Sequence, residues 1–388
     1  MKLIGRLFLL LLISPLMTAC GIFGGGDDDE DAPAKLVNFV RTVEVVRLWS
    51  GKLGGDAEHL QLGLRPVSQG QVVFAASHNG KVVAHDLETG KRLWIVETEL
   101  PLAAGPAVGD GMLVVGSSDG DVVAFASADG ESLWTIKTSS EVLATPAIGR
   151  GMIVFRTVDG RLHGVDSGSG TQLWEIEREV PALSLRGNSP PVLSGDLVLA
   201  GFDDGHIVAV RLQTGELVWD TVLKTARGKT DLEKLVDVDA SIQIAGNFAY
   251  VVGYQAKVAA LDVSTGGIEW ETDLSSHSGL GLDLDTVYAV TSDSEVVALD
   301  RRTGARKWQQ NAFYNRDLSG PVVYRDIVIV GDREGYLHGL DRETGEVAAR
   351  ARVDKKAIIV APVIANDIAL VQTDGGILSA YKKKNSDQ

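Results

Sequence analysis

Seven tryptophans recur along the chain at intervals of 38 to 51 residues, and this periodicity limits the possible folds more than any other feature. Six of them stand four residues after a glycine, and a seventh such glycine, Gly345, leads to Ala349 instead. The tryptophans are Trp49, Trp94, Trp134, Trp174, Trp219, Trp270 and Trp308. Sequence periods of about 40 to 45 residues are typical of β-propeller blades. The chain is therefore predicted to repeat one structural unit around a ring.

One unit divides into strands at its glycine turns. Apolar segments between Gly-Asp-Gly and Asp-Gly turns occupy residues 107–108, 112–116, 121–126 and 131–138. Short apolar runs between glycine turns are typical of strands in an antiparallel sheet. Such a sheet exposes two apolar faces and is not stable alone, whereas radial stacking buries both faces. Each unit is therefore predicted to be a four-stranded antiparallel blade.

The two ends of the chain predict the number of blades. The last unit has three strands, at residues 361–363, 368–372 and 376–381, and no Thr-Gly pair or tryptophan follows them. Residues 43–49 form a lone strand that ends in Trp49 and has no unit of its own. We expect this N-terminal strand to complete the last blade and to close the ring, which leaves no open sheet edge at the junction. The predicted fold is an all-β, eight-bladed propeller.

The first nineteen residues are typical of an export signal. Lys2 and Arg6 give the start a positive charge, and the apolar run at residues 7–16 is about ten residues long, too short to span a bilayer. Residues 16–20 resemble the lipobox of bacterial lipoproteins, although Met17 stands where that family most often has leucine. This resemblance implies that Cys20 becomes the lipid-modified N-terminus of the mature protein.

The segment after Cys20 is predicted to be a tether. Residues 24–31 contain only glycine, aspartate and glutamate, a composition that favours a solvated linker. The expected organisation is a signal peptide at 1–19, a tether at 20–35 and the propeller at 36–388. Gly21 follows the cysteine, which resembles the outer-membrane sorting pattern of Gram-negative lipoproteins. We therefore expect a lipid-anchored domain on the periplasmic face of the outer membrane.

Charge and cysteine content exclude several function classes. The net charge is −15, so the long-range field repels phosphate backbones and a nucleic-acid partner is not expected. With one cysteine, the chain forms no internal disulfide and has no thiolate cluster for zinc or iron–sulfur centres. The histidines are scattered, and no Walker, Gly-x-Ser-x-Gly or His-Glu-x-x-His motif is present. The sequence predicts neither a cofactor nor a metal.

The repeated Thr-Gly-x3-Trp motif resembles the tryptophan-docking motif of quinoprotein-type propellers. That resemblance implies that each indole packs on a neighbouring blade, with glycine allowing the turn before it. Ligand binding by the tryptophans is the alternative. Together, the lipobox, the acidic tether and the eight units resemble the BamB family of outer-membrane lipoproteins. Membership would imply a non-catalytic scaffold of the BAM complex, which binds the POTRA domains of BamA and assists the assembly of outer-membrane proteins.

Two linkers between blades are longer than the others and are the predicted partner site. They span residues 179–191 and 224–240, and each joins an outer strand to the next inner strand, so we expect both on one face, side by side. Two leucines beside an arginine form a plausible binding hot spot, and two aspartates lie on one side of the second linker. The family resemblance implies that these residues bind BamA: Leu183, Leu185, Arg186, Asp237 and Asp239. Alternatively, the leucines pack under their own loop and Arg186 pairs with an aspartate internally.

Four other functions share features with parts of the sequence. The outer strands could add a strand from an unfolded outer-membrane protein by β-augmentation. A quinoprotein dehydrogenase shares the repeat, but the chain has no cysteine pair for the disulfide over the cofactor and no calcium-loop motif. A WD40 adaptor fits poorly because the Trp-Asp dipeptide occurs once, at Trp219-Asp220, and an export signal is present. A generic periplasmic protein-binding propeller also stays open.

Overall fold

Short strands in the computed structural model form eight antiparallel sheets, each a blade of a propeller. The structure describes residues 32–55, 60, 62–181, 189–223 and 242–384. Within these ranges, no helix is long and apolar enough to cross a bilayer. Four successive strands, A to D, make up each of blades 1 to 7. The eight-bladed, all-β prediction is confirmed.

The strands follow one another in blade order after two that precede blade 1. These two are β1 (Val45–Lys52) and β2 (Gly63–Leu64). Blades 1 and 2 contain β3 (Val67–Gln69), β4 (Val72–Ala76), β5 (Lys81–Asp86), β6 (Arg92–Glu97), β7 (Leu102–Gly109), β8 (Met112–Ser117), β9 (Asp121–Ala126) and β10 (Ser132–Lys137). Blades 3 and 4 contain β11 (Ala147–Gly149), β12 (Met152–Arg156), β13 (Arg161–Asp166), β14 (Gln172–Glu177), β15 (Val192–Ser194), β16 (Leu197–Gly201), β17 (His206–Arg211) and β18 (Leu217–Val222).

The remaining blades continue in the same order. Blades 5 and 6 contain β19 (Gln243–Ala245), β20 (Phe248–Val252), β21 (Lys257–Asp262), β22 (Ile268–Asp273), β23 (Leu280–Leu282), β24 (Thr286–Val290), β25 (Val296–Asp300) and β26 (Arg306–Gln310). Blade 7 contains β27 (Val322–Tyr324), β28 (Ile327–Gly331), β29 (Tyr336–Asp341) and β30 (Val347–Arg352). Blade 8 contains β31 (Val363–Ala365), β32 (Ile368–Gln372) and β33 (Ile377–Lys383), with β1 as its outer strand.

The N-terminal strand closes the ring, as the sequence predicted. Strand β1 pairs antiparallel with β33, from Val45 opposite Lys383 to Lys52 opposite Ile377. The core lies between blades, where the apolar faces of their B and C strands meet. Leu199 and Ile207 of blade 4, for example, are fully buried in one cluster with Val251 of blade 5. Burial of this kind is the main driving force for stacking the blades.

Each of the seven tryptophans hydrogen-bonds to the blade that follows its own. The indole Nε1 donates to a carbonyl oxygen in the C–D turn of the next blade, at 2.8 to 3.2 Å. That carbonyl lies three residues before the glycine of the motif, against which the ring packs. At Gly90, which has a φ of +68°, an added Cβ would lie 2.5 Å from Cδ2 of Trp49. The glycine therefore permits both the backbone turn and the close approach of the indole.

Blade 7 has no docking tryptophan because the blade after it has no C–D turn. In blade 8 the C and D strands are β33 and β1, which come from opposite ends of the chain. The outer strand of blade 7 is covered instead by residues 33–44, here called the N-terminal strap. The amides of Thr42 and Val43 donate to the carbonyl oxygen of Ala348, and Val43 is buried. Blade 8 therefore offers no C–D turn that an indole at position 349 could contact, and the chain has an alanine there.

The connector from β1 to blade 1 has a feature that the sequence analysis missed. Strand β2 pairs in parallel with β7 and adds a fifth strand to blade 2. The residue that follows β2, Arg65, donates from Nε to the carbonyl oxygen of Ala361 and from Nη2 to that of Pro362, at 3.0 and 2.9 Å. Because Ala361 and Pro362 immediately precede β31, this connector joins blades 8 and 2 across blade 1.

Candidate partner-binding site

The turns and connectors fall on two opposite rims because all blades have the same strand order. The A–B and C–D turns lie on one rim. The B–C turns and the connectors from each D strand to the next A strand lie on the other, here called the connector rim. The two long linkers are the connectors β14–β15 and β18–β19, so their ends lie on the connector rim on either side of blade 4.

The predicted partner-binding residues lie outside the described residues. Leu183, Leu185 and Arg186 fall within residues 182–188, and Asp237 and Asp239 fall within residues 224–241. The predicted lipidation site, Cys20, also lies outside them. The structure describes the segments from which the two linkers start and to which they return. We call these segments the linker roots, and they end at Pro181 and Ser189 for the first linker and at Leu223 and Ile242 for the second.

Where each long linker starts, the backbone is hydrogen-bonded to the B–C turn of the blade that it leaves. The amide of Arg178 donates to the carbonyl oxygen of Gly160 in blade 3 at 3.1 Å. The amide of Leu223 donates to the carbonyl oxygen of Gly205 in blade 4 at 3.0 Å. Ser189, Leu223 and Ile242 are buried, so three of the four root ends are part of the packed ring.

One arginine side chain connects the two linker roots. The Arg178 guanidinium donates from Nε and Nη2 to Asp204 at 3.2 and 3.0 Å, and from Nη1 to Asp220 at 2.9 Å. Asp204 belongs to the B–C turn of blade 4, and Asp220 belongs to β18, which leads into the second linker. We call Arg178, Asp204 and Asp220 the arginine bridge. It joins the root of the first linker to the root of the second.

A buried aromatic ring and a second arginine lie beside the bridge. Phe202 is buried, with the guanidinium carbon of Arg178 at 5.3 Å from its ring centre and that of Arg156 at 4.7 Å. Arg156 donates from Nη2 to Asp203 at 2.9 Å, and both side chains are 3% exposed. A buried ion pair of this kind leaves an uncompensated charge if one partner is removed. Blades 3 and 4 are therefore linked by three arginine–aspartate pairs around one phenylalanine.

The arginine bridge favours the ionised form of the Asp220 carboxylate. Partial burial opposes ionisation of Asp220, but hydrogen bonds from His206 and Arg178 outweigh it and lower the pKa of Asp220 below its ordinary value. Burial likewise opposes the charge on Arg178, while the bonds to Asp220 and Asp204 raise its pKa. Arg178 and Asp220 are therefore both charged at neutral pH.

Sequence analysis did not identify the arginine bridge or its neighbours. Arg156, Arg178, Phe202 and Asp203 were not singled out, and Asp220 was noted only within the Trp-Asp dipeptide. The available signal was the segment Phe202-Asp203-Asp204-Gly205, where two acidic residues stand in one B–C turn. A turn needs no such pair, so the second carboxylate predicts a cationic partner.

A second network of buried charged side chains lies at blade 7, and it binds the N-terminal strap of the same chain. Arg316 contacts Asp332 and Glu334 and donates to the carbonyl oxygen of Ala34 in the N-terminal strap at 2.7 Å. His338 contacts Asp332 through Nε2 at 2.8 Å, and its Nδ1 accepts from Arg350 at 3.2 Å. Burial lowers the pKa of His338, so the imidazole is neutral and Nε2 carries the proton. These groups hold the strap and one another.

The ring encloses a central cavity of about 1010 Å³. Residues of the inner strands and of the connectors line it, among them Arg65, Thr145, Gln243, His277 and Val363. Burial lowers the pKa of Arg65 to about 10, so the guanidinium is charged at neutral pH and binds two carbonyl oxygens. In the part of the chain that the structure describes, no group of three His, Cys, Asp or Glu side chains is arranged to hold a metal ion.

The comparisons with known sequences all point to one protein family. The family model described as Outer membrane protein assembly factor BamB matches residues 78–310 and 314–388. A protein of that name from Pseudomonas aeruginosa is 45% identical over 349 residues, which cover 90% of this chain and 92% of the relative. One from Xanthomonas campestris is 34% identical over 394 residues, covering 97% of each chain.

Solved structures give the same architecture. The crystal structure of BamB from Moraxella catarrhalis superposes with a TM-score of 0.80 at 27% identity, covering 87% of this chain and 100% of that one. A quinohemoprotein alcohol dehydrogenase from Pseudomonas putida superposes with a TM-score of 0.70 at 14% identity, covering 87% of this chain and 76% of that one. At 14% identity the dehydrogenase supports the propeller fold alone.

Proposed function

The chain belongs to the BamB family of outer membrane protein assembly factors, and we propose that it is a non-catalytic scaffold that binds BamA through the connector rim. The anchor in this proposal is lipid on Cys20, which holds the propeller at the periplasmic face of the outer membrane. BamA would be bound through its POTRA domains. The complex would then assist the folding and insertion of outer-membrane proteins.

The arginine bridge is the observation that supports this site best. Long connectors are common places for binding residues because they extend from a rigid scaffold. Here the roots of both long linkers are hydrogen-bonded to blade turns and joined by Arg178. Because their roots are fixed next to each other, residues of both linkers can contribute to one binding surface. Leu183, Leu185 and Arg186 would supply the apolar contacts and the guanidinium.

The aspartates of the second linker have a different role in the proposal. Asp237 and Asp239 would either orient Arg186 or meet basic groups of BamA.

The path of the N-terminal strap is consistent with an anchored protein. Ala34 donates to the carbonyl oxygen of Tyr314, in the β26–β27 connector, so the described chain begins at the connector rim.

The test is a charge reversal at the predicted hot spot. We expect Arg186→Glu, in the full-length lipoprotein extracted with detergent, to reduce the capture of BamA at least tenfold, since hot-spot residues commonly contribute 2 kcal/mol or more, roughly thirtyfold in affinity. Arg161→Glu is the matched control, because Arg161 lies on the connector rim of blade 3 and its ion pairs among the described residues are with acidic side chains of that blade. Undiminished capture by a folded Arg186→Glu protein would refute the site.

A second binding function is favoured by the outer strands. On four consecutive blades, 8 and 1 to 3, the residue before the tryptophan is an exposed leucine on an edge strand. These residues, Leu48, Leu93, Leu133 and Leu173, are 42 to 53% exposed. An edge strand with exposed apolar side chains can pair with an extended, alternating strand such as those of unfolded outer-membrane proteins. Photocrosslinkers at these four positions should capture an unfolded porin, and capture equal to that at Lys307 on blade 6 would refute this function.

A further inference from the structure

We propose that Arg178 is a positioning residue for partner binding, which fixes the roots of the two long linkers relative to each other. This inference rests on the proposed function of the linkers. It goes beyond that function because it assigns a role to a residue outside both linkers. The role is to act through the linker roots, without contact with the partner.

The position of Arg178 in the chain supports this role. It directly precedes the first linker, which begins at residue 179, and Asp220 stands in β18, four residues before the second linker begins at residue 224. A guanidinium that binds Asp220 therefore fixes the two chain segments that lead into the linkers relative to each other. The backbone bonds of Arg178 to Gly160 and of Leu223 to Gly205 fix the same segments to the blades.

Three of the five N–H donors of the side chain are used within the protein. Its Nε, Nη1 and Nη2 all donate to Asp204 or Asp220, and one face of the guanidinium lies over Phe202. The side chain is 21% exposed. A residue whose donors are used internally contributes to binding through the geometry that it enforces.

Arginine is chemically required for this bridge. The planar guanidinium presents several donors in a fixed fork, so it can bind two carboxylates from two directions and stack on an aromatic ring. A lysine ammonium keeps the charge but lacks the fork. We therefore expect Arg178→Lys to retain part of the effect and Arg178→Ala to lose it.

The experiment measures the affinity of the full-length lipoprotein in detergent for purified periplasmic domains of BamA, by biolayer interferometry. We expect Arg178→Ala to weaken binding about tenfold, as groups coupled within one network commonly do, and Arg178→Lys to give an intermediate loss. The matched control is Arg161→Ala, which removes an arginine of similar exposure from the same rim. It should leave the affinity unchanged. Urea unfolding midpoints of Arg178→Ala and Arg161→Ala should agree, which separates positioning from a loss of stability.

A double-mutant cycle tests whether Arg178 acts through the linkers. In an Arg186→Ala background, Arg178→Ala should cause less than a twofold further loss, because the group that it positions is already missing. Fully additive losses would overturn the inference, as would wild-type affinity of Arg178→Ala. If Arg178→Ala does not fold, wild-type affinity of Arg178→Lys would overturn it. If Arg186→Ala itself binds normally, the proposed function fails, whatever the result at position 178.

Discussion

The docking of each tryptophan on a glycine of the next blade predicts a sharp difference between two glycines of blade 1. Gly90 and Gly70 both have positive φ, at +68° and +61°. A Cβ on Gly90 would lie 2.5 Å from Cδ2 and 2.6 Å from Cγ of Trp49, whereas a Cβ on Gly70 would meet no atom of the described residues within 4 Å. Alanine at either position has the same unfavourable backbone, but at Gly90 it also displaces the indole that closes the ring.

The expected free-energy changes follow from these contacts. A left-handed conformation costs alanine about 1 to 2 kcal/mol, so Gly70→Ala should lower the free energy of unfolding by that amount. Gly90→Ala should lose in addition the hydrogen bond from Trp49 to the carbonyl oxygen of Leu87, about 1 kcal/mol. Part of the apolar burial of the indole, about 1 to 2 kcal/mol, should be lost as well. Gly90→Ala should therefore be about 2 to 3 kcal/mol less stable than Gly70→Ala.

Urea unfolding, followed by tryptophan fluorescence and far-UV circular dichroism, measures this difference. The Gly90→Ala protein should unfold at a clearly lower urea concentration than Gly70→Ala, and its native fluorescence should change because an indole is displaced. Equal midpoints for the two variants would refute the reasoning, since the two glycines differ in their contact with Trp49 while sharing the sign of φ.

Three further outcomes follow from the same structure. Ala349→Trp should destabilise the protein by about 1 to 3 kcal/mol in urea unfolding, because position 349 is buried under the N-terminal strap; a gain in stability would contradict this. Asp332→Asn should lower the free energy of unfolding by about 3 to 5 kcal/mol, because it leaves the buried Arg316 without that carboxylate. Wild-type stability of this variant would show that Glu334 alone compensates the charge of Arg316. The free energy of unfolding should decrease as the pH is lowered from 7 to 5, because burial lowers the pKa of His338 and the unfolded chain binds more protons than the folded protein in this range. The free energy should change by at most about 1.4 kcal/mol per pH unit for each such histidine, and a flat profile would contradict the prediction.

The blade count and the ring closure could be predicted because their signals are local and repeated. Each blade carries its own glycine turns, and Trp49 marks an isolated D strand that needs a sheet to complete. The tryptophan docking could be predicted for the same reason, because six of the seven tryptophans stand four residues after a glycine. Repetition separates a structural signal from chance in a single sequence.

Contacts between distant segments could not be predicted in this way. Arg65 reaches the carbonyl oxygen of Ala361, 296 residues away, and no periodic pattern announces it. The N-terminal strap has no repeat either, although it replaces a tryptophan dock at blade 7. The arginine bridge pairs Arg178 with Asp220 across 42 residues, and neither belongs to the repeated motif. Only the fold brings such residues together, which is why the sequence predicted two linkers but not what holds their roots.

Site-specific photocrosslinking in intact cells tests the central claim, that the connector rim binds BamA, most directly. A photoreactive amino acid at Ser184 or Val238, one in each long linker, should give crosslinks to BamA. The same amino acid at Thr89 or Thr265, in C–D turns on the opposite rim, should give none. Crosslinks to BamA from Thr89 and Thr265, with none from Ser184 and Val238, would contradict the account.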